Sequence, residues 1–464
     1  MKNNTIYLLL FIYAIAATLT IIIFDGTGDS GDSIYHYLFA KFAPLHPRLF
    51  FHHWAKPVYV LLASPFAQFG FIGIKVFNAI ASSVTIFFTF KIAQELNIKN
   101  AIIASIVLLC SPLYFVLTFS GLTEPLFALF ISIGLYALLK HQYITASLII
   151  SFLPFVRSEG LIIIAVFGLY LLLKKEWRSL PLLLVGHVVY SIAGFFIYND
   201  LLWVFIEIPY ASLSSGYGSG KLFHFIEQLI YVIGVPIYIL FWIGIISIVW
   251  KSVKKRITLE IQILIFLAFL AFIVAHSLFW YLGIFKSMGL KRVLIGIIPL
   301  ISIISLLGFN FITEDVFKNK RIHKLITQGL LISYILIFPF TSNPAAIIWE
   351  RELDLLEDQR AAIQVADFID KNIEPDRLFV FAHPYLSEVL KIDHFDPNVR
   401  VDLAKGIMEQ LKSGDIIIWE NWFAVVERGV TKEYLDNNAQ LINLYNSSVS
   451  DNGREILYSV YERK

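Results

Sequence analysis

Apolar runs of about 20 residues, separated by short charged connections, fill most of this 464-residue chain. Runs of that length cross the hydrocarbon core of a bilayer as α-helices, because a helix satisfies its own backbone hydrogen bonds. With 58% hydrophobic and 16% charged residues and a mean hydropathy of +0.72, the composition is that of an integral membrane protein. About eleven spans are predicted, near residues 5–24, 72–90, 101–119, 123–139, 142–156, 160–173, 179–198, 225–250, 258–280, 292–309 and 325–340.

Charge divides the chain into two parts. Residues 1–340 hold 24 Lys/Arg against 13 Asp/Glu, a net charge of +11, and residues 341–464 hold 13 against 22, a net charge of −9. A membrane domain over 1–340 and an acidic soluble domain over 341–464 are therefore predicted. The soluble domain is predicted to be α/β, with a helix near 360–373 and strands near 377–381, 415–419, 441–445 and 454–461.

Lys and Arg concentrate in alternate connections between the spans, and such an excess marks the cytoplasmic side. The N-terminus is therefore predicted to be cytoplasmic. The connections 25–56, 120–124, 157–159, 199–224 and 281–291 face outside, and an odd number of spans carries 341–464 outside as well. The basic set is Lys2, Lys91, Lys99, Lys140, Lys174, Lys175, Arg178, Lys251, Lys254, Lys255, Arg256, Lys318, Lys320, Arg321 and Lys324.

The first outer connection, residues 25–56, is predicted to be a large loop that lies on the membrane surface. It carries Asp29 and Asp32 and ends in Trp54-Ala55-Lys56-Pro57. A carboxylate against a bilayer surface costs desolvation energy, which favours a functional role for Asp32. Aromatic residues such as Tyr35 and Trp54 are alternatively interface anchors. The apolar stretch 58–69 is too short to span and is predicted to be an interfacial or re-entrant helix.

Two further outer motifs carry charge at the ends of spans. Glu124, in Thr-Glu-Pro-Leu-Phe, begins a span, and its alternative role is to stabilise a helix N-terminus. Arg157 and Glu159 lie between two short spans, which predicts a position below the outer surface in a cavity. The alternative for this pair is a buried ion pair that fixes packing.

A basic segment, Lys286 to Arg292, stands on the side that should be poor in Lys and Arg. Lys286, Lys291 and Arg292 are explained if they meet an anion, and the planar fork of Arg292 suits a phosphate. Contact with anionic lipid headgroups is the alternative. The single cysteine, Cys110, excludes an intrachain disulfide framework and a thiolate metal site. Basic residues scattered at span ends give no nucleic-acid signature.

Taken in order, these motifs resemble the GT-C superfamily of membrane glycosyltransferases. The resemblance covers about residues 1–310 and is strongest to the polyprenyl-phosphate-sugar-dependent mannosyltransferases and the lipid A aminoarabinose transferases. The chain departs from the family at Ser158, where Arg-Pro-Glu-Gly is usual, and at Val58, where Lys-Pro-Pro is usual.

The resemblance implies an α-helical polytopic membrane protein of the GT-C type with an extracytoplasmic C-terminal α/β domain. Its expected reaction moves a sugar from a polyprenyl-phosphate donor to a lipid, glycan or protein acceptor by an inverting displacement. Asp32 is the expected catalytic carboxylate, with Asp29 second to it. Expected donor-phosphate ligands are Arg292, Lys291, Lys286 and Arg157. Expected substrate contacts are Glu124, Glu159, Tyr35, His53, Trp54 and Lys56.

No cofactor is expected, although Asp29 and Asp32 could hold a divalent metal, and membrane lipids are the remaining expected partners. Two other classes compete with the enzyme. A lipid-linked saccharide flippase or transporter would need ionisable residues near the bilayer midplane. A non-catalytic scaffold that displays the acidic domain would tolerate replacement of the loop carboxylates.

Overall fold

The computed structural model describes residues 4–209, 217–317, 320–374, 376–451 and 453–464. Lys2 and Lys318 of the basic set, and 210–216 of the connection 199–224, lie outside the described residues. The helices of the membrane part are α1 (Asn4–Ile23), α2 (Asp32–Phe42), α3 (Pro57–Ala67), α4 (Gly70–Glu95), α5 (Ile102–Leu109), α6 (Pro112–Thr118), α7 (Glu124–Leu139), α8 (Tyr143–Ser151), α9 (Gly160–Leu173), α10 (Val185–Tyr198), α11 (Trp203–Ile206), α12 (His224–Ile233), α13 (Val235–Val253), α14 (Ala268–Leu282), α15 (Ile298–Asn310) and α16 (Arg321–Ile337).

The predicted polytopic helical membrane protein is confirmed. Among the described residues, 7 helical segments are long and apolar enough to cross a membrane: Asn4–Ile23, Gly70–Glu95, Pro181–Tyr198, Val235–Val253, Ile261–Leu282, Lys291–Val316 and Arg321–Phe340. Shorter apolar helices stand at Pro57–Ala67, Glu124–Leu139, Tyr143–Phe155, Gly160–Leu173 and His224–Ile233. Several of the predicted spans are thus helices too short to cross a bilayer along its normal.

Two predicted spans are broken by residues that end a helix. The run 101–119 divides into α5 and α6 where Pro112, which has no N–H to donate, begins the second helix. The run 225–250 divides into α12 and α13 at Gly234, whose φ of 76° lies in the left-handed region. The predicted short helix over 58–69 is confirmed as α3.

The segment Lys291–Val316, which contains α15, forms the centre of the helical bundle. Its most apolar window is 94% buried inside the protein, against 22% for α1 and 17% for Arg321–Phe340. Helices with exposed apolar sides face lipid, whereas this segment faces other helices. Its buried Ser302 and Ser305 donate to the carbonyls of Ile298 and Ile301, so no hydroxyl is left unpaired there.

The C-terminal part is α/β as predicted. Its helices are α17 (Trp349–Glu352), α18 (Glu357–Asn372), α19 (Tyr385–Val389) and α20 (Lys432–Asp436). Its strands are β1 (Phe379–Phe381), β2 (Arg400–Asp402), β3 (Ile416–Glu420), β4 (Leu441–Asp451) and β5 (Arg454–Arg463). The sheet order is β2-β1-β3-β5-β4, with β1 parallel to β2 and β3, and β5 antiparallel to β3 and β4. The three-residue strand β2 was not predicted, because it is too short to show an alternating pattern.

The C-terminal domain packs on the first outer connection. Tyr37 and Lys41 of α2 donate to the carboxylate of Glu388 at 2.9 and 2.7 Å, and His46 lies 2.8 Å from Asp393. Contacts of this kind require both segments to lie on the same side of the membrane. Which side that is stays a prediction.

The basic clusters lie at the opposite end of the helices. Helix α7 runs from Glu124 to a C-cap at Lys140, and α9 runs from an N-cap at Glu159 to a C-cap at Lys174. Ion pairs join these basic ends to acidic residues of other segments, for example Lys140 to Glu95 at the end of α4, at 3.3 Å. The same helices therefore present the predicted site residues at one end and Lys/Arg at the other.

Candidate active site

Four separate parts of the chain bring charged side chains to one end of the bundle. Glu124 begins α7, with Pro125 in its first turn, where a missing N–H costs nothing. Glu159 stands immediately before α9, and Arg292 lies in the 3₁₀ helix Lys291–Ile297 that leads into α15. The first outer connection supplies Asp29 and Asp32, the second of which is the first residue of α2.

Arg292 contacts three carboxylates of this cluster. Its Nη1 donates to Asp29, its Nη2 donates to Asp32, and its Nε lies 3.5 Å from Glu124. Only a planar fork with separate donors can hold two carboxylates in this way, so lysine would not be equivalent. The structure thus joins the two expected catalytic carboxylates to the residue expected to bind the donor phosphate.

Asp29 and Asp32 differ in how firmly they are held. One oxygen of Asp29 accepts the backbone N–H groups of Gly31 and Ser33, at 3.0 and 2.8 Å, and its other oxygen meets Arg292. The side chain of Asp32 is 41% exposed, against 26% for Asp29. Burial raises the pKa of Asp29, an effect that Arg292 opposes. Asp32 is therefore the more accessible carboxylate, and Asp29 is fixed by its surroundings.

A second arginine extends the cluster inward. Arg157 lies 2.8 Å from Glu124 and 2.8 Å from Glu159, and it donates to the hydroxyl of Thr123 at 3.0 Å. The carboxylate of Glu124 is fully buried and is shared by Arg157 and Arg292. Arg157 and Glu159 thus form an ion pair that is partly buried, in contact with the predicted site through Glu124.

Lys56 approaches the same cluster from the end of the first outer connection. It is buried, and its Nζ donates to the hydroxyl of Ser158 at 2.9 Å. Its backbone φ is 67°, a strained value for a residue with a Cβ. Burial lowers the pKa of Lys56 to about 8. Ser158, one of the departures from the family pattern, is thus the residue that Lys56 contacts.

Glu159 is held ionised at the inner edge of the cluster. Burial alone would raise its pKa, but Arg157 and the ring of His276 lower it to about 2. The Nε2 atom of His276 lies 4.0 Å from this carboxylate.

The predicted aromatic contacts divide into two groups. Tyr35 packs edge-on against Trp54 at 5.7 Å, and Trp54 stacks on His36 at 4.8 Å, beside Asp32 on α2. His53 lies in another aromatic cluster, 5.3 Å from the ring of Trp203. Tyr35 and Trp54 therefore pack together at α2, where the hydroxyl of Tyr35 donates to the carbonyl of Ala382 at 3.3 Å, and His53 lies among different rings.

Two solved structures share this architecture. The crystal structure of ArnT from Cupriavidus metallidurans in the apo state matches with a TM-score of 0.65 at 12% sequence identity, covering 99% of this chain and 98% of that one. The apo oligosaccharyltransferase from Archaeoglobus fulgidus matches with a TM-score of 0.54 at 12% identity, covering 96% and 73%. This chain has the GT-C fold. No family model and no curated protein sequence matches it.

Within this GT-C fold, the remaining predicted cations stand apart from the carboxylates. The ammonium of Lys291 lies 5.8 Å from the ring centre of Tyr231, and Lys286 is exposed in the preceding turn. Among the described residues, neither forms an ion pair with the cluster around Arg292. Contact of Lys286 and Lys291 with the donor phosphate therefore stays a prediction.

Sequence reasoning missed several residues that the GT-C fold brings to the cluster. His276 lies inside the apolar helix α14, and an ionisable side chain within a span is itself a signal of function. His36 is buried beside Trp54, and its Nδ1 lies 3.2 Å from the carbonyl of Ala55. Thr123 carried no signal, because its hydroxyl matters only through contact with Arg157.

The described residues contain no group of three or more His, Cys, Asp or Glu side chains placed to hold a metal ion. Arg292 lies between the two carboxylates that were considered as a metal pair. The expectation of no cofactor stays a prediction.

Proposed function

We propose that this protein is an integral membrane glycosyltransferase that moves a sugar from a polyprenyl-phosphate donor to a lipid, glycan or protein acceptor on the extracytoplasmic face. The proposal draws on the fold shared with ArnT, an aminoarabinose transferase, and with an oligosaccharyltransferase. The single observation that carries it is the contact of Arg292 with both Asp29 and Asp32 at the mouth of the bundle.

The proposed reaction is a direct displacement at the anomeric carbon. The acceptor oxygen forms a bond to that carbon as the bond to the phosphate oxygen breaks, which inverts the anomeric configuration. The acceptor loses a proton to Asp32, and the polyprenyl phosphate leaves with the bonding electron pair. Cations near the leaving group stabilise the negative charge that develops there.

Charge pairing in the cluster indicates how these roles divide. Arg157 and Arg292 each contact more than one carboxylate. Binding of the donor phosphate to Arg292 would replace one of its carboxylate partners. Asp32, the more exposed partner, would then be released to accept the acceptor proton. Donor binding and activation of the base are thereby coupled through one guanidinium.

The opposite ends of the helices support an extracytoplasmic site. Helices that begin at Glu124 and Glu159 end beside Lys140 and Lys174, and Lys/Arg clusters mark the cytoplasmic side. A transporter would bind its substrate near the midplane, where both sides have access. The charged cluster instead lies at one end of these helices, which favours a transferase.

The direct test uses the purified full-length protein in lipid nanodiscs with a panel of radiolabelled polyprenyl-phosphate sugars. A lipid and glycan extract of membranes serves as the acceptor. One donor should be consumed with release of polyprenyl phosphate, and the Asp32→Asn variant should leave it intact. Absence of consumption of every donor by the folded protein would contradict the proposal.

A further inference from the structure

We infer that the C-terminal domain orders the catalytic connection through Gln359, a positioning residue that acts through Thr27 on Asp29. The inference rests on the proposed function, because Asp29 and Asp32 are the proposed catalytic carboxylates. It gives the acidic domain a role in the reaction itself.

The link is a chain of two hydrogen bonds between segments 332 positions apart. The side-chain Nε2 of Gln359, on α18, donates to the hydroxyl of Thr27 at 2.8 Å. That hydroxyl in turn donates to the backbone carbonyl of Asp29 at 2.8 Å. Gln359 is fully buried and Thr27 is 3% exposed, so water cannot replace either bond without opening the interface.

Both ends of the Gln359 amide are engaged. Its Oε1 accepts the backbone N–H of Leu356 at 3.2 Å while its Nε2 donates to Thr27. An amide held at both ends has a defined orientation, and a carboxylate could not reproduce it. Glutamate would keep the acceptor at Leu356 and lose the donor to Thr27.

The surrounding contacts bring the two segments close together. The N–H of Gly26 donates to the carbonyl of Leu353 at 2.9 Å, and a Cβ at position 26 would clash with that oxygen. Ser30 contacts the side chain of Asp358. Burial would raise the pKa of this carboxyl, but His383 and Ser30 outweigh burial and lower the pKa. The segment that begins at Leu353 therefore packs directly against the first outer connection, which carries Asp29 and Asp32.

Thr27 also links the segment that begins at Leu353 to the membrane domain. The hydroxyl of Ser33 donates to the carbonyl of Thr27, and the N–H of Gly121 donates to Ser33 Oγ at 2.6 Å. A shift of Thr27 would therefore move Asp29 and the start of α2 together. Because Asp32 is the first residue of α2, its position relative to Arg292 would change with them.

The test compares purified full-length variants that break or keep this link. Thr27→Val removes the hydroxyl and keeps the shape, Thr27→Ser keeps the hydroxyl, and Gln359→Leu removes the amide. The control is Gln364→Leu, an exposed glutamine on the same helix. We expect kcat to fall about tenfold in Thr27→Val and Gln359→Leu, with donor KM within about twofold, because small displacements of catalytic groups lower the rate strongly.

The double variant Thr27→Val/Gln359→Leu decides whether Thr27 and Gln359 act through one link. Its kcat should be no lower than that of either single variant, and Thr27→Ser and Gln364→Leu should match the wild type. A wild-type kcat in folded Gln359→Leu, or effects that multiply in the double variant, would overturn the inference.

Amide hydrogen exchange provides a second test of the link that does not depend on enzymatic activity. The amides of Gly31 and Ser33 donate to Asp29, so peptides covering 26–33 should exchange faster in Gln359→Leu and not in Gln364→Leu. Unchanged exchange in Gln359→Leu would refute the link even if no donor is ever found. Faster exchange in a protein that consumes no donor would support the link and count against the proposed function alone.

Discussion

Arg292 donates to the carboxylate of Asp32 although 260 positions separate the two residues. The contact closes the first outer connection onto the turn before α15, the most buried segment of the bundle. The proposed catalytic carboxylate, Asp32, is in this way held by the most buried helical segment of the bundle. A base that must be positioned accurately requires such an arrangement.

Arg292→Lys is expected to weaken donor affinity and slow turnover while the protein still folds. Lysine keeps the charge but cannot contact Asp29 and Asp32 together, and it offers a phosphate no fork. Donor binding to nanodiscs and kcat should both be measured. The lysine variant should bind donor more weakly than wild type and more tightly than Arg292→Ala. Unchanged donor affinity in both variants would return Arg292 to a role in packing or headgroup contact.

The pH dependence of kcat/KM for the donor should report Lys56. Its pKa of about 8 means that the ammonium form is lost as pH rises through 8, so kcat/KM should fall there. Lys56→Arg should move that fall to higher pH, and a profile that is the same in both proteins would exclude Lys56.

As pH rises above 8, the contribution of Lys56 to folding stability should increase while kcat/KM falls. Measuring both therefore separates titration of Lys56 from unfolding. In the unfolded chain Lys56 has the ordinary lysine pKa of 10.5, so the unfolded chain binds more protons than the folded protein between pH 8 and that value. The contribution of Lys56 to stability therefore rises with pH in this window. A loss of activity near pH 8 in a protein of undiminished Tm would be titration rather than unfolding.

Glu124→Gln is expected to destabilise the membrane domain. Its fully buried carboxylate lies between Arg157 and Arg292, and removing the charge leaves two buried cations with fewer partners. Losing one member of a buried ion pair typically costs about 3–5 kcal/mol. Thermal unfolding in one detergent should show a clear fall in Tm, with the exposed Glu374→Gln as control. Equal Tm values would mean that other groups hold the two arginines.

Reporter fusions should place the C-terminal domain and the first outer connection on the extracytoplasmic side. Contacts such as that of Lys41 with Glu388 require the two to share a side, and the excess of Lys and Arg at the other ends of the helices predicts that those ends are cytoplasmic. A reporter at Lys464 that is active only in the cytoplasm would reverse the orientation and remove the proposed active site from its substrate.

Much of the fold was predictable because apolar length and charge asymmetry act locally. Most of the apolar helices, the basic ends and four of the five strands follow from runs of neighbouring residues. The breaks at Pro112 and Gly234 show where local signals were present but were outweighed by continuous apolar composition. The polar β4 extends to Asp451 because β5 pairs with it, which no pattern within β4 reveals.

The sequence predicted several residues that the structure brings together, but not the contacts between them. Asp32 and Arg292 were expected from different motifs, with separate roles, and the structure joins them directly. The bond from Gln359 to Thr27 had no signal, because a glutamine in an amphipathic helix and a threonine in a loop are ordinary residues. Long-range pairing of single polar groups depends on the tertiary fold, which residue types and spacing do not determine.

The most direct test of the central claim is the turnover of Asp32→Asn. Asparagine keeps the volume of the side chain and cannot accept the acceptor proton, so kcat should fall by a factor of about 10²–10⁴ with donor affinity and Tm near wild type. Asp29→Asn should lower kcat less, because Asp29 orders the connection through Gly31 and Ser33. Wild-type turnover in Asp32→Asn would contradict the account, and loss of transfer in Asp29→Asn alone would assign the base to Asp29.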